Sequence, residues 1–172
     1  MKTNKFLLGL LAVATLFVVG CAADDTADVT INQGGGSNPI NPSDLVIGGT
    51  LSENLTLSTG NEYNLTSGLI VPEGITLTIE PGVIVRANTS SDVYVAIQQG
   101  GVINAEGTSS NPIVFTSNSA TPNPGDWGGL IILGRAPINS VVGGDATSTS
   151  EIGGLPYGGS IADDDSGIIR YV

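Results

Sequence analysis

From Leu45 onward the chain carries short apolar alternations separated by turn residues. They read LTL at 55–57, ITLTI at 75–79, VIV at 83–85, VYVAI at 93–97, VI at 102–103, IVF at 113–115 and LIIL at 130–133. Gly, Pro, Asn or Ser flank most of these runs, and β-branched residues and threonines dominate them. No run sustains an apolar period of 3.6, so helices are not expected. A period of two in many short runs predicts strands. In ITLTI the alternation puts Ile75, Leu77 and Ile79 on one side of a strand. With Val83 and Val85 they would supply much of one layer of core.

The strands are many and short, and the fold class they predict is all-β. An internal echo bears on the architecture. EPGVIVRA at 80–87 is echoed by QGGVINAEG at 99–107, with Gly82 against Gly101, Val83 against Val102 and Ile84 against Ile103, an offset of nineteen. The preceding strands also match, Leu77-Thr78-Ile79 against Val95-Ala96-Ile97, at an offset of eighteen. A strand–turn–strand unit repeating at about this length predicts a right-handed parallel β-helix, each coil stacked about 4.8 Å above the last. Two echoes leave a β-sandwich open as the alternative.

The first 44 residues have a different pattern. Lys2 and Lys5 precede an almost wholly apolar stretch from Phe6 to Val19. That is a signal-peptide core, shorter than the roughly 20 residues a membrane span needs. Val18-Val19-Gly20-Cys21 resembles the bacterial lipobox, and Cys21 is the only cysteine in the chain. The resemblance implies a diacylglyceryl group on the Cys21 thiol and cleavage just before it. An ordinary secretory signal with an incidental thiol is the plainer reading, but it leaves an unpaired cysteine unexplained. Asp24, Asp25 and Asp28 follow closely. Acids there resemble the surface-export signals of Bacteroidetes lipoproteins; a solvated acidic tether is the alternative. Neither Asp24 nor Asp25 is the second mature residue, which favours the outer membrane. Residues 21–43, with INQGGGSNPINPSD, read as a tether too poor in large apolar groups to fold. The expected domains are therefore a signal at 1–20, a tether at 21–43 and a β-helix at 44–172.

Charge narrows the partners. Cleavage after Gly20 removes both lysines and leaves Arg86, Arg135 and Arg170 against sixteen acids, a net charge of −13. Such a surface repels nucleic acid and anionic headgroups, so the acyl chains must supply membrane attachment. The mature chain has no His, Lys or further Cys. That excludes histidine triads, thiol nucleophiles, lysine Schiff bases and histidine-bearing metal sites. Carboxylate-pair hydrolysis and calcium-assisted elimination remain open.

Three places could carry chemistry. Asp126 and Trp127, in PGDWGGLIILGRAPI, could form a sugar-stacking platform with a hydrogen-bonding partner; a tight corner in which Trp127 covers the edge of a coil is the alternative. Asp163, Asp164 and Asp165, in ADDDSG, could hold calcium through hard oxygen ligands, or be a solvated acidic loop. They lack the spacing of a helix–loop–helix calcium site. Arg170 follows, and by analogy with pectate-lyase-like β-helices it could act as a base beside calcium-binding acids. Asn54, Asn64 and Asn88 sit in N-x-S/T triplets that read as turn residues able to stack as polar ladders.

VPEGITLTIEPGVIVRA, GGVINAEGTSSNPIVFTS and PGDWGGLIILGRAPIN together resemble a family of Bacteroidetes surface lipoproteins with predicted right-handed parallel β-helices. The resemblance covers roughly residues 69–139 and implies no particular activity. Members of that family are commonly longer, and this chain stops within an apolar strand, SGIIRYV. A β-helix truncated at its C-terminus is the resulting expectation. The functional expectation is a lipid-anchored surface protein presenting a β-helix to glycans or other surface material, without catalysis and without a required cofactor. The alternatives are a calcium-dependent polysaccharide lyase or other carboxylate enzyme, and a ligand-free spacer.

Overall fold

The structure is a computed structural model that describes residues 45–139 and 146–172. The signal, Cys21 and the tether lie outside the described residues.

Twelve strands and no helix are found among the described residues. They are β1 (Val46–Thr50), β2 (Leu55–Leu57), β3 (Glu62–Val71), β4 (Thr76–Ile79), β5 (Ile84–Ala87), β6 (Ser90–Ile97), β7 (Val102–Glu106), β8 (Val114–Ser117), β9 (Trp127–Ile132), β10 (Thr147–Thr149), β11 (Pro156–Gly158) and β12 (Gly167–Arg170). Apart from the antiparallel β10–β11 hairpin, every pairing is parallel. β12, β7, β4 and β2 form one sheet, and the other six strands form a second.

The second sheet is bent. The first half of β3, residues 62–65, lies against β5, whereas residues 69–71 lie against β6. The chain therefore winds around three faces. A first face stacks 62–65, 84–87 and 114–117. A second stacks 69–71, 95–97 and 130–132. A third stacks 55–57, 77–79, 103–105 and the start of β12. This is a parallel β-helix, not a sandwich.

Alternation dictates which side chains enter the core. Leu77, Ile79, Val83 and Val85 are buried, and Ile75 is half-buried against them. Tyr63, Leu65, Leu69, Val71, Val95, Ile97 and Ile103 fill the neighbouring positions. The strands pair so that each buried residue lies over another, as Leu55 over Leu77 and Leu77 over Ile103. Tyr63 is buried too, and its hydroxyl accepts the Ser58 N–H at 2.9 Å.

The coil length differs from the echo. Leu55 pairs with Leu77 and Glu62 with Ile84, 22 residues apart; Leu69 pairs with Val95, 26 apart. The offset of nineteen joined Ile84 on the first face to Ile103 on the third, within one coil. Both segments leave a four-residue corner with a positive-φ glycine, Gly82 or Gly100, and enter a strand; those glycines are eighteen apart, so the offset of nineteen set the buried Val83 against the half-buried Val102. The true repeat is hidden because its length changes from coil to coil.

Candidate functional site

Asp126 and Trp127 close the long loop after β8. The Asp126 carboxylate accepts the Ser117 hydroxyl at 2.6 Å and the Asn123 N–H at 2.9 Å. These two bonds hold its carboxyl below the ordinary aspartate value of 3.8, the Ser117 bond being the larger cause, with slight desolvation opposing them. An ionised carboxylate with two donors is a loop closure and a poor proton donor. Trp127 stacks on Phe115, ring centroids 6.2 Å apart, and both pack on the core. Trp127 is in register with Ser90 of β6, at the corner between the first and second faces.

The acids of 163–165 are not brought together. The Asp164 carboxylate accepts the Arg135 backbone N–H at 2.8 Å, and Asp165 accepts the Gly167 N–H at 2.8 Å, just where β12 begins. Asp163 is exposed. Among the described residues, no three acids converge on a point able to hold a metal ion. Arg170 lies over Glu106 in register and pairs with it at 3.7 Å.

Sequence reasoning missed a clamp at the corner between the second and third faces. Arg135 donates to Glu73 at 2.6 Å and to the Gln99 carbonyl at 3.3 Å. The Gln99 side-chain amide donates to the carbonyls of Gly134 at 3.0 Å and Gly158 at 2.7 Å. Together with Asp164, these residues seat the excursion between β9 and β12 against the coil. Only the rarity of arginine hinted at Arg135; the partners lie 36 and 62 positions away.

Asn54 and Asn88 occupy corners, whereas Asn64 lies within β3. Asn54 accepts the Thr76 N–H at 2.8 Å, tying one coil to the next. Asn64 lies in register between Val46 and Arg86 on the first face. Asn88 and Asn118 follow Ala87 and Ser117, which are paired, so they stack in adjacent coils. With Thr89 and Ser119 they line an open, polar depression of about 420 Å³.

These parallel coils, with a stacked apolar interior and polar corners, define a β-helix protein. The chain belongs to the family described as the pectate-lyase-like β-helix domain, which matches residues 49–172. No curated protein and no solved structure matches the chain.

Proposed function

We propose that this protein is a lipid-anchored outer-membrane protein that displays its β-helix at the cell surface and binds carbohydrate without transforming it. The observation that carries the reading is the separation of the groups that polysaccharide cleavage would use. Arg170 is paired with Glu106, Asp164 and Asp165 accept backbone N–H groups, and Asp126 closes a loop. An elimination or hydrolysis needs an acid and a base converging on one sugar. Binding needs only a rigid polar surface. On the third face Thr56, Thr78 and Asn104 stack in register on the outer side, a ladder of hydroxyl and amide groups at strand spacing. The lipobox and acidic tether support the anchor and its export.

Cys21→Ser should abolish fatty-acid labelling and release the protein from outer membranes, and protease added to intact cells should remove the wild-type β-helix. Purified protein mixed with neutral and acidic polysaccharides, with and without calcium, should retain polysaccharide and generate neither ultraviolet-absorbing unsaturated ends nor new reducing ends. Products that disappear in Arg170→Ala or Asp164→Ala would establish the lyase reading instead. Failure to retain any polysaccharide would leave a spacer.

A further inference from the structure

The corner between the first and second faces widens from coil to coil along the helix. Between the stretches paired on the two faces the chain crosses with Gly48 alone in the first coil, then 66–68, then 88–94, then 118–129, the last two also paired through Ser90 with Trp127 and Tyr94 with Gly129. The other corners stay short in the earlier coils and lengthen only late: 107–113 take seven positions from the third face to the first, and the chain between β9 and β12 makes its long excursion between the second face and the third. Residues 72–75 and 98–101 both take four positions to turn from the second face to the third, and 58–61 and 80–83 take four to turn from the third to the first. The first-to-second corner alone lengthens at every coil, and loops added on one face of a repeat architecture are often its binding face. The two widest crossings enclose the depression lined by Asn88, Thr89, Asn118 and Ser119.

We infer that this corner is the carbohydrate-binding site and that it takes an uncharged sugar; the inference rests on the glycan-binding reading above. The backbone here is already committed to the coil: the Asn88 N–H donates to Leu65 at 2.9 Å and the Asn118 N–H to Ala87 at 2.7 Å. The side chains are not. Asn88, Thr89 and Asn118 are exposed and their side chains make no hydrogen bond to another described residue. Two amides and a hydroxyl thus present donors and acceptors side by side, the complement of adjacent sugar hydroxyls. Ser119 fixes the rim through its own loop, donating to the Thr121 carbonyl at 3.2 Å and accepting the Thr121 N–H at 3.3 Å.

Charge selects among sugars. No lining residue is ionisable. Asp92 lies in the 88–94 crossing itself, and Asp126, held ionised by the Ser117 hydroxyl and the Asn123 N–H, closes the 118–129 crossing. A uronate would enter a strongly acidic molecule with no cation among the lining residues to receive it, Arg86 two positions before Asn88 being already paired with Glu62, whereas a neutral sugar meets no such penalty. The pocket therefore discriminates against anionic polysaccharide by charge and recognises neutral sugar by hydrogen bonding.

The test uses the full chain and immobilised oligosaccharides of β-1,4-glucan, α-1,4-glucan, xylan and mannan, with oligogalacturonate as the charged probe. At least one neutral oligosaccharide should bind, and Asn118→Ala and Asn88→Ala should each weaken it by about tenfold, the loss of one or two hydrogen bonds. Neither position has positive φ, so alanine introduces no backbone strain, and both variants should keep the wild-type melting temperature. Neutral binding that survives both substitutions would overturn the site and leave the general reading standing. Preference for oligogalacturonate would overturn the sugar class. Binding to none of the probes would overturn both the site and the glycan reading.

Discussion

At the scale of single residues, the acids act mainly as acceptors for the protein's own donors. Asp126 is the clearest case, since Ser117 and Asn123 both donate to one carboxylate oxygen. Its folded pKa lies below 3.8, so its contribution to stability is fully present above 3.8 and is lost as pH falls through the lowered value. Asp126→Asn keeps the shape and removes the ionisation. The variant should melt below wild type at pH 7, and the two melting curves should converge as pH falls well under 3.8. A difference that stays constant across that range would show that the charge contributes nothing. The surface pair Arg170–Glu106 has little energetic weight by comparison, because each partner is at least half-solvated. Its value is in reporting register: it exists because Arg170 lies directly over Glu106.

At the scale of elements, the strands are short and the corners decide how they stack. Corner 98–101 shows the constraint. A Cβ placed on Gly101 would stand 2.5 Å from the Val71 carbonyl and 3.0 Å from that of Pro72. Both are backbone atoms of the coil below, so relief requires moving a whole rung. Gly101→Ala should therefore cost about 1–3 kcal/mol in chemical denaturation, the range of overpacked sites. No loss would mean that the corner flexes and that stacking does not depend on this approach. The same logic explains why the clamp of Gln99, Arg135 and Asp164 sits at this corner. It is the place where the excursion between β9 and β12 must be tied down before the chain rejoins the third face.

At the scale of the whole molecule, stability should be graded along the helix axis. Each coil touches only its neighbours, so cohesion is additive from rung to rung. The middle coils, with Leu65, Leu77, Val95 and Ile103 fully buried, have neighbours on both sides. β12 has a neighbour only in β7, and all four of its residues are exposed. Ile132 and Ile169 are also exposed, at 42% and 43%, although they continue the inward-facing columns of Ile97 and Ala105. Amide hydrogen exchange should be slowest at Leu77, Ile79 and Val95 and fastest in β12, with β9 between. Uniform protection from β2 to β12 would show a single cooperative unit in place of a graded stack.

Alternation and turn chemistry, both local, were enough to read the all-β class and most of the core, whereas the parallel β-helix was preferred to a sandwich on an echo that joins two faces of one coil. An inward position in a strand must be apolar whatever lies above it, which is why Leu77, Ile79, Val83 and Val85 could be read directly. Composition likewise determined which catalytic chemistries residues 45–172 cannot supply by themselves, because they contain no His, Lys or Cys. Register was decided by tertiary structure. Coils of 22, 26 and more residues conceal the repeat, and the most visible echo linked Val83–Ile84 to Val102–Ile103 across faces of one coil. The site followed the same division. Asp163, Asp164 and Asp165 are adjacent in sequence, yet backbone donors from Arg135 and Gly167 draw two of them to different tasks. Asn88 and Asn118 are thirty positions apart and become neighbours only because Ala87 pairs with Ser117. Side-chain convergence is set by which strands hydrogen-bond, and that pairing is a property of the closed coil, not of any segment within it.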